Sequence, residues 1–238
     1  SPSNHRPLSF VITAMKLLYA IIIMLCIVAC VKKQEPASTT IPGPPPAPIY
    51  TWLALGDSYT IGQGVNPNER FPTQTATLLL QQGIQVQTPA YIASTGWTSN
   101  NLQSNINSNN PNKHTVVSLL IGVNDQYQFR DTTGYRQRFT QLLVKAIELA
   151  NGKQQNVFVL SIPDFSVTPF AASFDTAQIR KEIDWFNNIN RAVTQQYNCP
   201  YLDITPSTRE GRTNRSLIAA DGLHPSALEY KRWADRLV

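Results

Sequence analysis

A nucleophile, a base and a carboxylate stand in two short stretches of this 238-residue chain. In "LALGDSYTIG", residues 53–62, an apolar run stops at Gly56, and Asp57 and Ser58 follow at once. In "DGLHPS", residues 221–226, Asp221 stands three residues before His224. A serine hydroxyl is a weak nucleophile until a base takes its proton. Beyond residue 50 the only histidines are His114 and His224. His224 precedes Pro225, so it is biased away from helix and belongs to a loop. A carboxylate three residues earlier can fold back onto one ring nitrogen and leave the other free for a hydroxyl. Each residue, taken alone, is equally an ordinary turn residue. His114, in the polar loop "NNPNKHTVV", enters a strand and falls at the opposite end of the expected sheet.

Other uses of the Ser58 stretch fit poorly. A phosphate loop needs a Lys-Ser/Thr pair at fixed spacing, and "GDSYTIGQG" has no lysine. The dinucleotide fingerprint G-x-G-x-x-G breaks down after Gly62-Gln63-Gly64, and the elbow G-x-S-x-G is absent around Ser58.

Such residues must be positioned by a scaffold. Strand signals fall at Tyr50–Leu55, Ile84–Ile92, Thr115–Ile121, Asn156–Ile162 and Pro200–Ile204. "TWLAL", "TVVSLLI" and "NVFVLSI" are nearly continuous apolar runs, which suit parallel strands buried on both faces. Helical signals lie between them at Pro72–Gln82, Thr98–Ile106, Gly134–Ala150 and Asp175–Tyr197. Phe139, Leu142, Leu143, Ala146 and Leu149 share one helical face, with Ile147 alongside. Pro225–Leu237 is expected as a closing helix with Pro225 at its first position. Alternating strands and helices imply an open three-layer α/β fold. Ligands bind such sheets beyond the carboxyl ends of the strands. The polar motifs "GDS" (56–58), "STGWT" (94–98) and "IGVND" (121–125) follow the first three strands, and "DGLHPS" precedes the last helix.

These four blocks, in this order and across nearly all of residues 50–238, resemble the GDSL, or SGNH, hydrolases. The resemblance maps the family's Ser, Gly, Asn and His onto Ser58, Gly96, Asn124 and His224, and its acidic triad member onto Asp221. "GDSY" stands where "GDSL" is often quoted, and Val123 fills the free position of the third block. The resemblance implies a flavodoxin-like α/β/α fold with a five-stranded parallel sheet, and serine esterase chemistry through an acyl-enzyme. It also implies an oxyanion hole formed by the amides of Ser58 and Gly96 and the side chain of Asn124. Asp57 and Asp125 are expected to hold their loops rather than to react. Tyr59, Trp97 and the stretch "DFSVTPF" (164–170) are candidates for the pocket wall or for packing. No long apolar groove is evident, so short acyl groups on carbohydrates or small alcohols are the expected substrates. A lysophospholipase or thioesterase of the same family, or a catalytically silent binding lipoprotein, are the alternatives.

The remaining composition bounds the partners. The net charge of +5 is concentrated before the folded part, at Arg6, Lys16, Lys32 and Lys33. Residues 51–238 retain 16 basic and 14 acidic groups, and no basic cluster is interleaved with aromatics, so nucleic acid is not an expected partner. No cysteine or histidine pair has metal-ligand spacing, and neither metal nor organic cofactor is expected. Met15-Lys16 opens an uncharged run, Leu17 to Ala29, that ends in "IVAC". A positive residue, a short apolar core and small closing residues make a secretory signal. A membrane span reaching back to Leu8 would have to bury Lys16. "IVAC" resembles the lipobox of bacterial lipoproteins, which implies lipidation of Cys30 and attachment to the cell envelope. Residues 1–14 precede the first Met and read as lying upstream of the true start. The expected organisation is therefore residues 1–29 signal, 30–48 lipidated cysteine and Pro/Ser/Thr-rich tether, and 49–238 hydrolase domain. Within a mature chain only Cys199 would remain free, which excludes an intrachain disulfide.

Overall fold

The structure is a computed structural model that describes residues 47–238. The signal, Cys30 and nearly all of the tether lie outside the described residues. A parallel five-stranded sheet runs in the order β4-β2-β5-β6-β7. Its strands are β2 (Trp52–Gly56), β4 (Ala90–Ala93), β5 (Val116–Leu120), β6 (Val157–Leu160) and β7 (Tyr201–Leu202). The short β1 (Ile49–Tyr50) and β3 (Gln85–Val86) form a separate two-stranded parallel sheet. The main helices are α1 (Ser58–Ile61), α2 (Phe71–Gln81), α3 (Ser99–Asn109), α4 (Val123–Phe129), α5 (Tyr135–Leu149), α6 (Thr176–Gln196), α7 (Thr205–Arg209) and α8 (Ala227–Leu237). Helix α2 packs on α8, while α3 packs on α5 and α5 on α6. Right-handed crossovers put these two groups on opposite faces of the sheet, the three-layer arrangement the sequence predicts.

The apolar runs are strands for the reason expected. All five residues of β2 are buried, and its neighbours cover it on both edges, Leu55 pairing with Ile92 on one side and Leu119 on the other. Both of these neighbours follow β2 in the chain. The winding therefore reverses at β2, and a crevice opens beyond its carboxyl end. Trp52 donates its buried indole N–H to Ser118 Oγ at 2.9 Å and packs edge-on to Phe71 and Phe158.

The elements differ from expectation in several places. The single strand expected over Ile84–Ile92 is two, because Pro89 has no N–H to donate and pairing lapses between Val86 and Ala90. The first strand is divided at Thr51, whose N–H and hydroxyl turn to Thr115. The last helix starts at Ala227 with Ser226 as its cap, because Pro225 is held by an antiparallel bridge to Ile218. Helices α1, α4 and α7 are not foreseen, since segments of four, seven and five residues show too little periodicity to read.

Candidate active site

Gly56 ends β2 where the backbone is most crowded. A Cβ there would stand 2.1 Å from Thr60 Oγ1 and 2.4 Å from the Leu120 carbonyl. Asp57 then caps the four-residue α1 by accepting the Tyr59 N–H at 3.0 Å. Ser58, first in that helix, is nearly buried. Its Oγ lies 2.9 Å from His224 Nε2, although 166 positions separate the two residues. His224 Nδ1 lies 2.7 Å from Asp221 Oδ2. The carboxylate assigns the Nδ1 proton, so Nε2 is left to accept from the Ser58 hydroxyl. Asp221 Oδ1 accepts the amides of Leu223 and His224 at 2.9 and 3.0 Å, which folds the Asp-Gly-Leu-His turn on itself. Partial burial pushes the Asp221 carboxyl up. The Leu223 and His224 amides and the imidazole outweigh it and hold the group below the ordinary carboxylate range.

Gly96 and Asn124 flank Ser58 from β4 and β5, the strands on either side of β2. Gly96 is the third residue of a turn closed by the Trp97 N–H on the Ser94 carbonyl, and its φ of +78° favours glycine. A Cβ at this position would meet nothing within 4 Å, so φ rather than crowding selects the residue. Asn124 sits in the first turn of α4 and donates its Nδ2 to the Trp97 carbonyl at 3.1 Å. Gln128, one turn on, donates to the Gly96 carbonyl at 3.2 Å. Asp125 is fully buried and takes both the amide and the hydroxyl of Ser99, at 2.8 and 2.5 Å. Burial raises its carboxyl, with the Ser99 and Arg138 contacts working against the rise. At the other end of α4, Glu182 of α6 accepts from Gln126 at 2.7 Å and from the Arg130 guanidinium.

Asp57 differs from its neighbours. It is fully buried, and its Oδ2 has no hydrogen-bond partner among the described residues. Burial pushes its carboxyl up to about 8; the Tyr59 amide opposes this and the nearby Asp125 charge adds to it. Asp57 therefore holds its proton to higher pH than an ordinary carboxyl.

A cleft of about 90 Å³ opens over Ser58 and His224. Its remaining wall is Tyr59, Val123, Asn124, Tyr127, Phe165, Phe170 and Leu223. Tyr59 lies against the imidazole with ring centres 5.0 Å apart.

The GDSL-like lipase/acylhydrolase family model matches residues 54–232. The chain belongs to that family. Solved structures share its fold at low identity. A member of the lipolytic G-D-S-L family from Veillonella parvula is 20% identical with a TM-score of 0.61, over 79% of this chain and 96% of that one. An acetylxylan esterase from Geobacillus stearothermophilus is 17% identical, TM-score 0.57, over 79% and 92%. A lipase/acylhydrolase from Enterococcus faecalis is 18% identical, TM-score 0.57, over 79% and 93%. A search of curated proteins finds no match.

As a GDSL-family member the chain is a hydrolase of ester bonds. The structure brings Ser58, Asp221 and His224 into one hydrogen-bonded chain, and Gly96 and Asn124 to the same sheet edge. Asp57 and Asp125 brace this GDSL site by capping α1 and clipping α3 to α4. Trp97 does not line the cleft; Tyr59, Phe165 and Phe170 do. His114 lies at the start of β5, away from the site, with Nδ1 2.8 Å from the Asn112 carbonyl. Val123 and Leu223 line the cleft without being marked as wall residues by the sequence, and so does Tyr127. Its only sequence signal is a position one helical turn after Asn124, on a helix too short to foresee. Ser99 and Glu182 were also missed, because their partners lie 26 and 52 to 56 positions away.

Proposed function

We propose that Ser58 is the nucleophile of a serine esterase that works through an acyl-enzyme. His224 Nε2 takes the hydroxyl proton as Oγ attacks the ester carbonyl carbon. The imidazolium is stabilised by Asp221. The carbonyl oxygen becomes an oxyanion, received by the amides of Ser58 and Gly96 and the Asn124 side chain. As the tetrahedral species collapses, the bond to the alcohol oxygen breaks and His224 returns its proton to that oxygen. Water then attacks the acyl-enzyme by the same route, releasing the acid and restoring Ser58. The continuous chain from Ser58 Oγ through His224 to Asp221, at 2.9 and 2.7 Å, carries this reading. Ser58→Ala tests it: ester hydrolysis and fluorophosphonate labelling should both vanish while the circular dichroism is retained. Turnover persisting in a clean preparation overturns it.

The substrate proposal is a short acyl group on a carbohydrate or small alcohol. Two observations support it. The cleft over Ser58 and His224 is small, about 90 Å³. Solved structures that share the fold include acetylxylan esterases. A rate series from acetyl to palmitoyl esters should peak well short of palmitoyl; a maximum there overturns the short-acyl reading.

For location, we propose export and lipid attachment through Cys30, supported by the "IVAC" stretch and the polar tether that follows it.

A further inference from the structure

A second cavity, of about 320 Å³, lies at the end of the sheet opposite the cleft over Ser58. Its walls include Tyr50 and Val86 of the small sheet, Trp52 and Phe158 near the amino ends of β2 and β6, and Leu79 and Leu237 in the last turns of α2 and α8. No Asp, Glu, Lys or Arg lines it. Three of its polar groups are already used inside the protein. The Trp52 indole donates to Ser118, the Thr75 hydroxyl to the Phe71 carbonyl at 2.8 Å and the Asn156 amide to the Thr115 carbonyl at 2.9 Å. The lining therefore suits an apolar occupant, which asks for no hydrogen bond. Apolar side chains are also exposed beside it. Ile49, Leu80, Ile84 and Val238 are 57%, 59%, 38% and 42% exposed, and each lines the cavity or adjoins in sequence a residue that does. Large apolar residues gathered at one end of a domain and left in water mark an interaction surface.

Charge at this end has one sign. Lys113 precedes β5, Lys153 precedes β6 and Arg236 stands in the last turn of α8, so all three belong to the cavity's end of the sheet. They are exposed and have no ion-pair partner among the described residues. The acidic groups of the neighbouring helix ends, Glu148 and Asp235, are each taken by a lysine, Lys145 and Lys231. Residues 1–46, with the uncharged run Leu17–Ala29, join the domain at Ala47, two positions before Ile49. We infer that this end of the domain docks on an anionic lipid bilayer, with one lipid acyl chain entering the 320 Å³ cavity and the three cations among the headgroups. Each Lys or Arg near such a surface strengthens binding about fivefold. The inference rests on the membrane attachment proposed above, which keeps the domain beside the lipid and makes a weak docking intramolecular. Ser58 follows the carboxyl end of β2, so the docked domain turns its cleft away from the bilayer, toward esters in water.

The test is tryptophan emission of the full chain in phosphatidylcholine vesicles with and without phosphatidylglycerol, prepared with ordinary or brominated acyl chains. Bromine quenches an indole it touches, and Trp52 is in the cavity wall. In anionic vesicles, brominated chains should lower the emission of wild type, and Trp52→Phe should abolish that loss. Ile84→Glu, and Lys113→Glu combined with Lys153→Glu, keep Trp52 and should also shrink the loss. Leaving out phosphatidylglycerol or raising the salt should do the same. All variants should float with the vesicles, because residues 1–46 hold them there. Ile84→Glu and the lysine pair alter exposed positions far from the cleft, so both should hydrolyse a short ester like wild type. Equal emission from ordinary and brominated vesicles in a floating wild type overturns the docking alone; a crosslinked dimer in that case gives the face to a second copy. A loss that persists unchanged in Ile84→Glu and in the lysine pair overturns it as well. A wild-type chain that does not float overturns the attachment reading and the docking with it.

Discussion

Asp125 Oδ2 accepts the Ser99 amide at 2.8 Å while its Oδ1 accepts the Ser99 hydroxyl at 2.5 Å. This pair joins the helix that presents Asn124 to the segment that follows Gly96. Two proposed oxyanion donors from different strands are thereby set against each other by one buried carboxylate.

Ser99→Ala should therefore act on the chemical step more than on substrate capture. It removes one of the two bonds and leaves the amide contact in place. The expected result is a fall in kcat of about tenfold with little change in KM, the pattern of an interaction needed chiefly in the transition state. Steady-state kinetics on a short ester checks it; an equal rise in KM at constant kcat would contradict it.

Asn124→Ala should lower kcat by about 100- to 1,000-fold, the usual effect of deleting one oxyanion donor. Fluorophosphonate labelling of Ser58 should slow in parallel while thermal stability changes little. Asp221→Asn should cost more, about 1,000-fold or beyond, because the amide can impose the wrong imidazole tautomer. A kcat within tenfold of wild type in either variant would count against the assigned role.

Glu182→Ala should loosen the far end of α4. The variant leaves the buried Gln126 amide without the Glu182 carboxylate and removes the partner of Arg130. Stranding a buried donor costs about 1–3 kcal/mol. For a domain of this size that lowers Tm by a few degrees, at about 2–4 °C per kcal/mol. Scanning calorimetry checks it.

Asp57 makes stability depend on pH in an unusual direction for a carboxylate. Its folded pKa, about 8, lies above its unfolded value near 3.8. The folded state thus binds the extra proton between these limits, and the contribution of Asp57 to stability declines as pH rises from about 4 to about 8. Asp57→Asn can still accept the Tyr59 amide as a helix cap but cannot ionise. Its Tm should fall less than that of wild type between pH 5 and pH 9. Parallel Tm curves for the two proteins would refute a protonated Asp57.

Fatty-acid analogue labelling in a bacterial host should mark the full chain and spare Cys30→Ala. Equal labelling of both would remove the lipid anchor.

Sequence alone determined the alternation of strands and helices, because burial on both sheet faces demands continuous apolar runs such as "TVVSLLI" and amphipathic helices such as Tyr135–Leu149 demand a 3.6-residue period. It also marked the residues proposed to carry the chemistry. The blocks around Ser58, Gly96, Asn124 and His224 each end or begin an element, and the Asp221–His224 contact is local enough to read from spacing. What spacing could not determine was distance across the fold. Ser58 and His224 meet over 166 positions only because the strand order brings β2 to the winding reversal and α8 back against α2. Helix α4, with Tyr127 on it, is short enough that its contacts, the Asp125–Ser99 clip and Glu182, hold it rather than its own propensity. The raised pKa of Asp57, whose Oδ2 has no partner among the described residues, is likewise a product of burial, which no local pattern of residues specifies. Tertiary packing decided these features because they arise from groups brought together by long-range closure of the chain.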